Sequence, residues 1–394
     1  IGYKNTVNQA AATTSLADTQ ILGNDVTATL GNSVYLGTGA AAKNANVADA
    51  TTLTDAEQAA VDALDTTGMT ETEKAAAQAK AKATARYATN LAAMKKSGTT
   101  AGLQSLSTDT AYDDGKLANR AIRDLKRMKE AGKPFFLACG FWKPHLPFNA
   151  PKKYWDLYKR EEIPLATNRF RPEGLPEQVR NSSEIYAYAR VADTSDIDFQ
   201  REVKHGYYAC MSYVDAQIGK VLDALDELGL SDNTIVVLLG DHGWNLGEHD
   251  FIGKHNLMNT STHVPLIVRV PGMKKGKTKS MVEFVDLYPT LCELCKLPVP
   301  AEQLSGQSFA GVFKNLKAKT KGEVYIQWEG GDNAVDQRFS YAEWMKGDVK
   351  KASMLFDHRI DKEENKNRVN EKKYKSKVES LSSFIKVKKS SLKK

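Results

Sequence analysis

Five side chains in this sequence have the chemistry of an anion site: Asp241, His242, Lys254, His145 and Lys143. Asp241 and His242 stand in Gly240-Asp241-His242-Gly243-Trp244-Asn245-Leu246-Gly247-Glu248-His249, directly after the apolar run 234–239. A carboxylate beside an imidazole is well suited to hold a metal ion. The glycines let the backbone turn sharply and approach what is bound. The same pair can also serve as a plain turn capped by its aspartate. Two further stretches argue for a site. One is Phe251-Ile252-Gly253-Lys254-His255, and the other is Trp142-Lys143-Pro144-His145-Leu146-Pro147-Phe148, far upstream. A metal ringed by Lys and His cations makes a pocket for a compact oxyanion, a phosphate or sulfate ester. Such cations neutralise charge developing on the transferred group, and a neighbouring histidine can protonate the departing alcohol. The reading requires the loops to converge.

The elements that must position these residues follow from periodicity. The run 234–239 is unbroken and β-branched, the pattern of a strand buried on both faces of a parallel sheet. Ligands of open α/β sheets bind at the carboxyl ends of such strands. The segment 135–141, Phe-Phe-Leu-Ala-Cys-Gly-Phe, is expected to be a second buried strand, delivering Lys143 and His145 to a loop pinned by Pro144 and Pro147. A helix over 116–130 presents Leu117, Ala121, Leu125 and Met128, and Gly132 stops it. A second over 201–228 has the stripe Tyr207, Met211, Val214, Ile218, Leu222 and Leu225, stopped by Gly229. A further strand is expected over 263–270, and a helix over 282–294 whose regular part starts near Asp286 because of Pro289. Short strands over 324–328, 339–344 and 353–356 predict a small antiparallel sheet, closed by a helix over 371–385 before a disordered Lys/Ser tail. Residues 151–198 lack a clear period and read as a long loop with short helices, of the kind that is commonly functional.

The resulting expectation is an α/β protein with a mostly parallel central sheet flanked by helices and a small C-terminal antiparallel subdomain. The expected divisions are an Ala/Thr-rich region at 1–110, a core at 111–316, a subdomain at 317–386 and a basic tail at 387–394. Helices over 55–64 and 71–96 are poor in large apolar residues and can bury little surface. The formal charge of +7 is concentrated in lysines at 314–321 and 372–394. Such runs are usually solvated surface, and no nucleic-acid motif accompanies them. No apolar run is long enough to cross a bilayer. Of four cysteines, Cys139 and Cys210 lie in apolar segments. Cys292 and Cys295 form a lone C-x-x-C in a helical context, which suits core packing or an incidental disulfide better than zinc.

The segments PFFLACGFWKPHLPFNAPKKYWDLY, YYACMSYVDAQIGKVLDALDELGLSDNTIVVLLGDHGWNLGEH, THVPLIVRVPG and VEFVDLYPTLCEL resemble the sulfatase family of the alkaline phosphatase superfamily, and most closely its iduronate-2-sulfatase branch. LFDHRIDKEEN resembles that family's C-terminal subdomain. The resemblance implies that Asp241 and His242 ligate a divalent cation, normally calcium, and that Lys254 and His145 contact the sulfate. His145 is also implied as proton donor to the leaving oxygen, with Lys143 adjacent. His249 and His263 are expected to be structural. Many sulfatases have Asn where His242 stands, and calcium prefers oxygen ligands, so His242 implies a weaker site or another metal. The implied substrate is a sulfated carbohydrate, and the implied location is periplasmic, extracellular or otherwise exported.

The sequence departs from the family in one respect. The family's formylglycine nucleophile arises from a C/S-x-P-x-R motif, and the 394 residues contain none. Its early paired aspartates are not recognisable either, and Asp113-Asp114 is not carried over to that role. With Ile at position 1, these departures lead to the expectation of a C-terminal fragment with little or no turnover. The alternatives are a phosphodiesterase or phosphonate hydrolase of the same superfamily and a non-catalytic fragment that binds sulfated glycans.

Overall fold

The computed structural model describes residues 108–187, 196–273 and 275–392, with short pieces before residue 108. The chain divides into two compact units. One comprises Ile1–Leu103, Ser107–Lys143 and Val214–Leu228, and the other Gln104–Leu106, Pro144–Tyr213 and Gly229–Lys394.

In the first unit, helix α1 (Asp113–Ala131) buries Ala118, Ala121 and Leu125 and ends at Gly132, whose φ of 62° suits a residue without Cβ. Asp114 is almost wholly buried and accepts the backbone N–H groups of Trp142 (2.7 Å) and Lys143 (2.9 Å). Its role is therefore to pin the start of the Lys143 loop. Asp109 is held by the Lys220 ammonium at 2.6 Å. The segment 135–141 departs from expectation: it forms no regular element, joins no ladder among the described residues, and leaves Phe136 53% exposed. Of the helices expected over 55–64 and 71–96, only isolated residues are described, so those expectations lie outside the described residues.

Helix α2 (Ile197–Glu227) contributes to both units and stops before Gly229, φ 64°. Its buried face centres on Ala209, Cys210, Tyr213 and Gln217, and Met211, expected in the stripe, is exposed.

In the second unit, β1 (Val236–Leu239) pairs antiparallel with β2 (Leu266–Arg269). The expected parallel central sheet is not present among the described residues, where parallel ladders are confined to short pairs such as Gln104–Ser105 with Ala150–Pro151. The physical reason is the count of neighbours. An apolar run becomes a doubly buried strand only when strands flank both edges and helices cover both faces. Among the described residues β1 has β2 alone, and Leu238, Leu239 and Ile267 stay 39%, 39% and 60% exposed. A short turn at Phe284–Asp286, with reciprocal capping between Glu283 and Asp286, leads into α3 (Leu287–Leu294).

The C-terminal sheet is antiparallel, in the order β3 (Glu323–Trp328), β4 (Gly331–Asp336), β5 (Phe339–Lys346), β6 (Val349–Asp357). Ala342, Trp344, Met354 and Phe356 pack one face against Val179, Phe251, Leu257 and Met258. Ala334, Tyr341 and Leu355 pack the other against Tyr374 and against Leu381 and Ile385 of α4 (Lys375–Leu392). Strand β4 was not expected, because Gly-Asp-Asn reads as a turn; its polar side chains are buried but partnered. Asn333 donates to the Leu257 carbonyl, and Asp332 accepts from Tyr325 and Gln327. The expected disordered tail is mostly helix, since α4 continues to Leu392. Two of its lysines are held by sheet carboxylates, Lys377 by Asp336 and Lys389 by Asp332, each at 2.5 Å.

All four cysteines are free. Among the described residues no helix is long and apolar enough to cross a membrane.

Candidate functional site

The loop after Pro144 brings His145 to Lys254. Lys254 Nζ lies 3.1 Å from His145 Nε2. The Leu146 carbonyl accepts from His145 Nδ1 at 2.7 Å, which places the Nδ1 hydrogen and leaves Nε2 facing the site. Phe148, wholly buried, anchors this loop by edge-on contacts to Tyr207 (5.6 Å) and Trp244 (5.9 Å).

Glu184 completes the cluster. Its Oε1 is 3.0 Å from His145 Nε2, and its Oε2 is 3.1 Å from Lys254 Nζ. The second contact is an ion pair out of line for a hydrogen bond, so the buried Oε2 has no aligned donor. Sequence reasoning missed Glu184 because it lies in the aperiodic stretch 151–198, where no pattern singles out one acid from the others.

The segments 181–184 and 252–255 run side by side. Asn181 Oδ1 accepts the Ile252 N–H at 2.8 Å, Ser182 Oγ is 2.8 Å from His255 Nδ1, and Glu184 meets Lys254. Gly253 is required here: a Cβ would come within 2.3 Å of Ser182 Cβ, and its φ of 129° is strained for other residues. His255 stacks flat on Trp328, with centroids 5.2 Å apart and planes at 5°. Burial pushes its imidazole below the ordinary value; Glu184 opposes this and Lys254 adds to it.

Asp241 and His242 follow β1. Asp241 is 85% exposed, with Oδ1 accepting the His242 N–H at 3.0 Å and Oδ2 3.5 Å from His242 Nε2. Gly243 donates its N–H to the Ser261 carbonyl, and a Cβ there would reach within 1.9 Å of the Thr260 carbonyl oxygen. Asn245, fully buried, donates to the Gly253 carbonyl at 2.8 Å and so joins this loop to the Lys254 loop. Trp244 is the neighbour common to both groups of candidates. Its ring lies 6.3 Å from that of His242 and 5.2 Å from Lys254 Nζ.

The predicted residues therefore fall into two groups. His145 and Lys254 are in contact, and Asp241 and His242 approach them through Trp244. Lys143 belongs to the first unit, buried, with its N–H on Asp114. His249 is buried at φ 59°, with its imidazole pushed down by desolvation. His263 is exposed and ends the helical turn Asn259–Thr262. Among the described residues no group of three or more His, Cys, Asp or Glu side chains could hold a metal. Calcium takes about six to eight oxygen ligands; Asp241 offers one carboxylate and His242 an imidazole nitrogen, so the pair does not by itself make a closed calcium shell.

Two family models match the chain: the sulfatase model over residues 52–297 and the C-terminal model of N-sulphoglucosamine sulphohydrolase over 247–391. Mouse iduronate 2-sulfatase is 38% identical over 222 residues, which cover 48% of this chain and 40% of that one. A sulfatase of Formosa agariphila is 30% identical over 282 residues, covering 71% of this chain and 54% of that one. The structure of BT4656 with its substrate D-glucosamine-2-N,6-O-disulfate superposes with a TM-score of 0.60 at 20% identity, covering 70% of this chain and 69% of that one, a likeness of fold. The chain spans about two fifths to a little over half of the length of these curated relatives. The sulfatase model takes in well over half of the residues, including His145, Asp241, His242 and Lys254, and the chain belongs to the sulfatase family.

Proposed function

We propose that this chain carries the leaving-group side of a sulfuric ester hydrolase that acts on sulfated sugars. The observation that supports it is the contact of His145 Nε2 with Lys254 Nζ at 3.1 Å, beside a loop bearing Asp241 and His242. Lys254, desolvated to 13% exposure, would bind a sulfate oxygen and neutralise the charge that grows as the sulfur–oxygen bond breaks. His145, with its Nδ1 hydrogen on the Leu146 carbonyl, would hold the transferable proton at Nε2 and pass it to the departing alcohol oxygen. Glu184 would hold both side chains in place, its Oε1 3.0 Å from His145 Nε2 and its Oε2 3.1 Å from Lys254 Nζ. Asp241 and His242 are proposed as two ligands of a divalent cation, calcium by family resemblance, which would polarise the ester when bound. The sugar reading draws on the iduronate 2-sulfatase relatives and on the disulfated glucosamine held by BT4656. Export, as in the family generally, is proposed with it.

The 394 residues contain no C/S-x-P-x-R motif, so the chain alone is expected to bind sulfate esters and to turn over an aryl sulfate or an aryl phosphate no faster than buffer. Calorimetry with inorganic sulfate should give saturable binding, weakened about 10–100-fold by His145→Ala or Lys254→Ala, the loss of a charged hydrogen bond at about 1.5–3 kcal/mol. Unchanged affinity in both variants would refute the assignment. Terbium luminescence, lost on Asp241→Asn, tests the cation edge without reference to turnover.

A further inference from the structure

We propose that the stacked His255–Trp328 pair is the sugar-facing wall of this site, packing the pyranose ring of a sulfated monosaccharide whose sulfate lies at His145 and Lys254. The proposal rests on the functional reading above and adds the surface that would tell a sulfated sugar from a bare sulfate ester.

The wall is tied to the anion cluster by near neighbours in sequence on both segments of the site. His255 follows Lys254 directly, and Ser182, which holds His255 Nδ1 at 2.8 Å, stands two residues before Glu184. The flat stack, 5.2 Å between centroids at 5°, fixes the indole as a rigid plate. Trp328 nonetheless remains 39% exposed, at the end of β3 where the chain turns through Glu329 (φ 43°) and Gly330 (φ 73°). A rigid, half-exposed aromatic plate next to a charged pocket has two adjoining parts of opposite character. A sulfated pyranose has the same two parts, an anionic substituent and a weakly polar C–H face, and aromatic walls with a few placed polar groups are the usual make-up of small-ligand sites. Glu329, exposed at the turn and close enough to act on the His255 charge, offers an acceptor for ring hydroxyls.

Binding of three probes to the full chain tests this: methyl sulfate, D-glucosamine 6-O-sulfate and D-glucosamine N-sulfate. At least one sugar sulfate should bind ten times more tightly than methyl sulfate and quench tryptophan emission. Trp328→Ala should remove that advantage and leave methyl sulfate affinity within twofold of the parent, while Trp328→Phe should keep most of it without the quench. Methyl sulfate binding with no sugar preference, or an undiminished preference in Trp328→Ala, overturns the proposal and leaves the anion site standing. Absence of methyl sulfate binding by the parent chain overturns both.

Discussion

The two-stranded ribbon β1–β2 and the four-stranded sheet β3–β6 begin from similar material and end differently. Both are built from strands that carry β-branched and other large apolar residues. In the four-stranded sheet each face has its own cover, and Met354, Leu355 and Phe356 are wholly buried. In the ribbon, Leu238 and Leu239 remain 39% exposed and Ile267 60% exposed. The difference lies in how far away in sequence the partners are. Adjacent strands joined by tight turns find each other locally, and α4 follows soon after to close the second face. A strand patterned for burial on both sides needs neighbours from distant parts of the chain, and sequence pattern alone does not report whether they are in place.

The sharpest test of that contrast is truncation in each region. Phe356→Ala should cost about 3–5 kcal/mol by denaturant titration, the range for emptying a packed aromatic site. Ile267→Ala should stay within about 0.5 kcal/mol, as at other exposed positions. Equal losses would mean that the ribbon is as well covered as the sheet.

A smaller effect should come from the charge buried at the sheet's last strand. The Arg338 guanidinium, bidentate on Asp357, holds that carboxyl well below the usual carboxylate range, and Tyr374 Oη donates to it at 2.8 Å. Asp357 is wholly buried and Arg338 about a third exposed, so Asp357→Asn is expected near the low end for a broken buried pair, about 3 kcal/mol. Because the folded value is depressed, this stability is present above the unfolded carboxyl value of about 3.9 and fades as pH falls below it.

The smallest predicted effect is the dependence on His358. Desolvation lowers its imidazole, but the Glu364 carboxylate at 2.8 Å outweighs burial and the net shift is upward. Its contribution is full below about pH 6.5 and is lost as pH rises through the higher folded value. The melting temperature should decline slightly over that interval, and His358→Gln should flatten the decline. A rise in stability over the same interval would contradict the ion pair.

Legibility in the sequence followed the same division. Helix α1 and the start of α3 were readable because Gly132 and Pro289 mark local limits. His145 and Lys254 were readable as candidates because imidazole and ammonium groups beside glycine and proline turns are unusual. Strand β4 was hidden by its own composition, since Gly-Asp-Asn suggests a turn unless Leu257, Tyr325 and Gln327 are known to satisfy the polar groups. Glu184 and Trp328 were hidden because each gains its meaning from a residue far along the chain, Lys254 and His255 respectively. The lysines of α4 misled in the other direction: they looked like a free polycation, and two of them neutralise acids of the sheet.

The side-by-side run of 181–184 with 252–255 has a practical consequence for anyone redesigning this site. Ser182 and Glu184 share one short span, as do Lys254 and His255, so the part that would grade the carbohydrate and the part that would hold the ester are cast as a single piece. Inserting or deleting one residue in either span would shift both together. Loop grafting at either span is therefore expected to disturb the His145–Lys254–Glu184 cluster as well, whereas side-chain exchange at Trp328, on a separate strand, should leave it alone.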